Sequence, residues 1–191
     1  MYQKITNAHG TVIKNEKRMA FMSKNANNQA KNAVILNDLI YGCIMGGAIG
    51  DALGYPVEFM RYDEIINKYG EKGITELELT NGFAQISDDT QMTLYTANAV
   101  IREKTKRLLD GSSSGLEHYF RRAYGNWYSA QIADGDKLLK VPEKLCWIYN
   151  VDALRAVRTP GNACIEALSG KGGSNESNGC GGLMRVAPIG L

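Results

Sequence analysis

The chain has 191 residues, 44% apolar and 22% charged, a balance that suits one globular domain with a sizeable core and excludes a disordered chain. Its formal net charge is +2, from 22 Lys and Arg against 20 Asp and Glu. Six of those basic residues but one acid, Glu16, fall in residues 1–37, so the body is mildly acidic and a general nucleic-acid surface is not indicated.

Residues 1–37 are rich in Lys, Asn and Gln and read as a loosely ordered basic extension with a short helix around residues 16–22. The domain proper is expected over residues 38–191. Residues 38–53 read as a central helix. Its glycines, Gly42, Gly46, Gly50 and Gly54, recur every fourth residue and form one bare stripe. Each costs up to about 1 kcal/mol against Ala in a helix, so a closely approaching backbone and burial on most sides are expected. Asp51 lies near the end of this apolar helix and needs partners: a helix end to cap, or an Arg. Glu58 sits between Val57 and Phe59, a setting that raises a carboxyl pKa and suits either a surface turn or an acid/base group.

Residues 61–69 read as a short amphipathic helix and 70–73 as a turn. Residues 74–79 alternate apolar and polar but stand too isolated to claim a sheet, and Asn81-Gly82 is a further turn. Ser87-Asp88-Asp89-Thr90 then opens a helix expected over residues 88–104. Adjacent carboxylates are costly unless something positive lies beside them. Three readings compete: a helix cap, with Ser87-x-x-Thr90 and Asp88-x-x-Gln91 as capping boxes; a solvated acidic spot; or a site for a hard cation.

A flexible link at residues 110–115 leads to a helix over 116–130 with Leu116, Tyr119, Phe120, Ala123, Trp127 and Tyr128 on its core face and His118 exposed. Residues 131–150 look irregular, anchored by Trp147 and Tyr149; 151–157 and 163–168 read as short helices, the second opened by Thr159-Pro160-Gly161. Residues 169–182 form a Gly/Ser/Asn loop that is no Walker loop, yet its backbone N–H groups suit a phosphate or ribose. The chain stops on the apolar run 183–191, as though cut in mid-element.

Cys43, Cys146, Cys164 and Cys180 show no C-x-x-C or Cys/His metal spacing, and all read as buried free thiols in a reducing cytoplasm. No uninterrupted run of 18 apolar residues is present and residues 1–20 lack a secretory h-region, so no membrane span is expected.

Three stretches in order, residues 46–59, 87–92 and 177–188, resemble the ADP-ribosylglycohydrolases, the group of dinitrogenase-reductase-activating glycohydrolase. The resemblance covers about residues 39–191. It implies an all-α orthogonal helical bundle, apparently truncated, around two Mg²⁺ ions, with Mn²⁺ an alternative. It further implies Glu58, Ser87, Asp88 and Asp89 as metal ligands, with Ser87 standing where the family usually has Thr. Glu58, Asp88 and Asp89 would be catalytic, and Asp51, Ser177, Asn178, Gly179 and Gly181 would bind substrate. The implied partner is an ADP-ribosylated protein or ADP-ribose, with no nucleic acid and no membrane, and the implied reaction is hydrolysis of the glycosidic bond between ADP-ribose and a modified side chain. The other reading is a catalytically inactive ADP-ribose-binding or structural relative. The family's second metal motif, Asp-x-Asp-Thr, has no match, so the chain is expected to be the N-terminal half of such an enzyme, either a truncated product or one piece that needs a second chain.

Overall fold

The computed structural model describes residues 3–132, 146–170 and 176–191, with side chains from residue 20 onward. Most of the expected irregular stretch at 131–150, the middle of the Gly/Ser/Asn loop, and the side chains of the basic residues up to Arg18 lie outside the described residues. The described chain is all-α apart from one small hairpin.

Two compact units are present, Met1–Gly42 and Cys43–Leu191, and the division falls inside helix α1, Gln3–Gly54. In the first unit, helix replaces the expected loose extension. Its sequence holds no proline and is rich in Ala, Lys, Asn and Gln, so nothing breaks the backbone ladder. Its described side chains, Phe21, Val34, Leu36 and Leu39 among them, are exposed. The expectation about membrane spans also changes: the helical stretch Ala20–Val57 is long and apolar enough, by length and composition, to cross a membrane. Asn37 and Asp38 interrupt the apolar run but leave its mean hydropathy high. A core helix of a soluble protein meets the same criterion.

In the second unit α1 ends in a 3-10 turn, Tyr55–Val57, fixed by Pro56. Helix α2, Tyr62–Tyr69, opens with a capping box in which Arg61 N–H donates to Glu64. The strand pair that the sequence left unclaimed does form: β1, Leu79–Thr80, pairs antiparallel with β2, Phe83–Ala84. Asn81 and Gly82 both take positive φ, the geometry of a tight hairpin turn. Helix α3, Asp88–Asp110, outruns its expected end by six residues and stops at Gly111, whose φ of 71° supplies the left-handed cap. Helix α4 is Leu116–Ile132 and α5 is Asn162–Leu168; residues 152–154 make only a 3-10 turn where a helix was expected.

The core lies between α3 and α4, which run antiparallel: Gln91 meets Trp127 and Gln131, Thr96 meets Tyr124, and Arg102 lies over Tyr119. Met92, Tyr95 and Ala99 of α3 pack with Tyr119, Ala123, Trp127 and Ala130 of α4, and Ile148, Tyr149 and Leu154 close the cluster. Of the two expected anchors, Tyr149 is buried in the core together with Ile148, while Trp147 is 63% exposed. Inside it sits a satisfied polar hub. The Gln91 Oε1 accepts from Trp127 Nε1 at 3.1 Å and Gln131 Nε2 at 3.3 Å, while its Nε2 donates to the carbonyls of Ala153 and Ala156, both at 2.9 Å. All four hydrogen-bonding positions of the amide are filled, so the buried group is paid for and locks α3, α4 and segment 153–156 into one register.

Trp127 is fully buried and also serves this hub. Trp127→Ala is expected to destabilise the fold by about 3–5 kcal/mol, read from guanidinium unfolding midpoints at an unchanged m-value.

Candidate active site

The acidic tetrad begins α3, and two caps hold it there. Ser87 is the N-cap, and its Oγ accepts from Asp89 N–H at 3.1 Å. Asp51, arriving from the end of α1, is the second cap. Its carboxylate accepts from Ser87 N–H at 3.0 and 3.2 Å, from Thr90 N–H at 3.2 Å and from the Thr90 hydroxyl at 2.5 Å. The expected capping boxes do not form, because Asp51 takes the Thr90 N–H and Gln91 turns into the core. Asp51 stands in the expected substrate set; in this structure its oxygens serve the helix start, the capping alternative open to it from sequence.

Asp88 points toward α5: its Oδ2 accepts from Gly161 N–H at 3.0 Å. Thr159 bonds to the Tyr55 hydroxyl at 3.2 Å, tying the same segment to the chain just before Glu58. Pro160-Gly161 signalled only a helix start in the sequence. The bond to Asp88, 73 positions away in the chain, carries no local signal.

Two neighbouring cavities, about 520 and 530 Å³, share Glu58, Asp89, Cys180 and Met184 in their walls. The first also has Asp51, Ser87, Thr90 and the glycine side of α1; the second has Asp88, Gly161, Cys164, Ser177, Gly179 and Gly181. The structure thus gathers every expected site residue except Asn178, which is exposed and lines neither cavity. Gly161, Cys164, Cys180 and Met184 are wall residues outside the expected set.

The glycine stripe behaves differently from its expectation. A Cβ on Gly42, Gly46, Gly47, Gly50 or Gly54 would meet nothing within 4 Å, and most of this helix is exposed. No backbone lies against the stripe among the described residues; from Gly46 to Gly54 it forms cavity wall. The cysteines also divide: Cys146 and Cys164 are buried, Cys43 and Cys180 exposed, all free.

The electrostatics are those of crowded acids. Burial, then Asp88, Asp89 and Asp51, push the Glu58 carboxyl above its usual range. Asp89 is raised by burial, then by Asp88 and Asp51. Asp88 is raised chiefly by burial, with the Gly161 N–H and the Arg185 charge opposing. A divalent cation would relieve this repulsion, and the donors are hard oxygens of the kind such ions take. Among the described residues, however, no three acids, cysteines or histidines close into one ligand group. The donor chemistry fits a cation; the wall carries the donors without a closed shell.

The chain matches the ADP-ribosylglycohydrolase family over residues 32–191 and belongs to it. It is 38% identical over 79 residues to the ADP-ribosyl-[dinitrogen reductase] glycohydrolase of Rhodospirillum rubrum, a match covering 39% of this chain and 26% of that protein's length. No solved structure gives a significant match.

A carboxylate whose folded pKa is raised holds its proton longer in the folded state than in the unfolded one. Stability therefore falls as pH rises through that folded pKa. Asp89→Asn is expected to raise the melting temperature of the cation-free chain at neutral pH by a few degrees, with the gain vanishing once the pH drops below the carboxylate range; calorimetry across pH checks it. Asp51→Ala, which uncaps α3, is expected to cost about 2 kcal/mol, measured by denaturant unfolding.

Proposed function

We propose that the chain is the acid-bearing part of a hydrolase that cleaves the glycosidic bond between ADP-ribose and a modified protein side chain. One observation carries this reading: Glu58 and Asp89 line two neighbouring cavities, and in the second they share the wall with Asp88, Ser177, Gly179 and Gly181. The name of the Rhodospirillum rubrum relative supports the substrate class.

Breaking such a bond builds positive charge on the ribose ring, and fixed carboxylates at the cavity wall favour that charge. Glu58 borders both cavities, is open to solvent, and has a carboxyl pushed above its usual range by burial and by its acidic neighbours, a setting that suits a proton-transferring group. Asp88 is oriented by the Gly161 N–H and Asp89 by the helix start, and both line the second cavity. Backbone N–H groups of the Gly-rich segment suit the diphosphate. Bound Mg²⁺, held by Glu58, Ser87, Asp88 and Asp89, would orient ribose hydroxyls and water and offset developing charge. The donor set is open among the described residues, and further oxygen ligands would come from a second polypeptide. It also favours the second reading, an ADP-ribose-binding relative without turnover.

With an ADP-ribosylated protein and Mg²⁺, released ADP-ribose is the expected outcome, and Glu58→Gln is expected to lower the rate roughly 10²–10⁴-fold. Calorimetric binding of ADP-ribose without any release would favour the inactive relative. Neither binding nor release, with Mg²⁺ present, would reject both.

A further inference from the structure

Two thiols in the second cavity have no part in hydrolysis. Cys164 lies on α5 and is buried; Cys180 opens the turn Cys180–Gly182 and is exposed. Both line the wall that carries Asp88 and Asp89. The Cys164 Sγ sits 2.7 Å from where a Cβ on Gly181 would be, closer than any real Cβ contact. Glycine at 181 is therefore what lets this sulfur rest against the backbone, one residue, about 3.8 Å of chain, from the Cα of Cys180. The Arg185 Nη2 lies 3.9 Å from the same sulfur. The remaining cysteines are placed differently: Cys146 belongs to the hydrophobic core, and Cys43 lines only the other cavity.

We propose that Cys164 and Cys180 are a modification site: a dithiol pair that small-molecule disulfides such as oxidised glutathione convert to an intramolecular disulfide in the cavity wall. Cys180 is the entry point because it is exposed. Its thiolate attacks one sulfur of the glutathione disulfide, forming a mixed disulfide and expelling one glutathione thiolate, which takes up the proton Cys180 gave. The Cys164 thiolate then attacks the Cys180 sulfur, forming the Cys164–Cys180 bond and expelling the second glutathione in the same way. Two protein thiols are oxidised and one glutathione disulfide is reduced to two thiols. Burial keeps Cys164 from reacting directly with the reagent, while its seat beside residue 181 gives it a high effective concentration toward Cys180. The bond fastens the turn at Cys180 to α5, close to the Gly161–Asp88 contact.

The test is equilibration of the full chain carrying Cys43→Ser, which removes cross-links through the other exposed thiol, with reduced and oxidised glutathione, followed by acid quench, alkylation and peptide mapping of the monomer. The expected product is a Cys164–Cys180 disulfide lighter than the reduced chain by two hydrogens, with Cys146 alkylated only after unfolding. Cys164→Ser is expected to stop at a single glutathione adduct on Cys180. Should that variant fail to fold, Cys180→Ser gives the second reading, and its Cys164 is expected to stay free of glutathione. A wild-type pair that stops at the mixed disulfide, or two thiols that remain free where glutathione is mostly oxidised, would overturn the proposal.

Discussion

The carboxylate of Asp51 is the contact on which the site depends. It leaves the end of α1 and takes three donors at the start of α3, the N–H groups of Ser87 and Thr90 and the Thr90 hydroxyl. The first turn of a helix leaves backbone donors without intrahelical partners. Ser87 satisfies one of them locally, and Asp51 satisfies others from 36 and 39 positions away in the chain. The consequence is geometric: Asp88 and Asp89, lying between the capped positions, have their backbone fixed from both sides, and their side chains can only diverge. Asp88 goes to Gly161, and Asp89 faces both cavities.

That arrangement accumulates negative charge, with opposing contributions close at hand. The positive end of the α3 dipole lies under Asp88 and Asp89 and favours their ionised forms. The Gly161 N–H and the Arg185 charge act in the same direction on Asp88. Burial and mutual repulsion nevertheless win at Glu58, Asp88 and Asp89, all three of which are raised. A fold selected for stability alone would have spread these acids apart. Local destabilisation of this kind, held in place by a rigid satisfied core around Gln91, is characteristic of a binding or catalytic wall.

The residues legible in the sequence were those whose chemistry is local. Ser87-Asp88-Asp89 announced a helix start and a cation-compatible cluster within one turn, and Glu58 stood out through its apolar neighbours. Gln91 and Gly161 were illegible because their roles are set by partners tens of residues away: Trp127, Ala156 and Asp88. Periodicity found α4 and its core face, since Tyr119, Ala123 and Trp127 are buried at helical spacing. No periodicity was available around residue 147, where a 3-10 turn presents Ile148 and the expected anchor Tyr149 to the core and leaves the other expected anchor, Trp147, outside. The leader was misread for a different reason: composition describes solvation, and a fully solvated stretch can still be helical.

The glycine stripe is the most instructive of these differences, because the pattern was right and its physical meaning was not. Small residues at every fourth helical position remove side-chain volume along one face. That removal can admit a second backbone, or it can leave space. Here the added Cβ atoms would stand free, and the face from Gly46 to Gly54 borders the cavity whose wall also carries Asp51, Ser87 and Asp89. Larger side chains there would fill that volume and narrow the approach to Glu58. The helix-propensity cost of the glycines thus has a counterpart other than close packing: an open stretch of cavity wall shared with Glu58 and Asp89, on the helix that supplies the Asp51 cap. Stripe and cap are two functions of one segment, which explains why so poor a helix former sits where the α3 start needs a rigid partner.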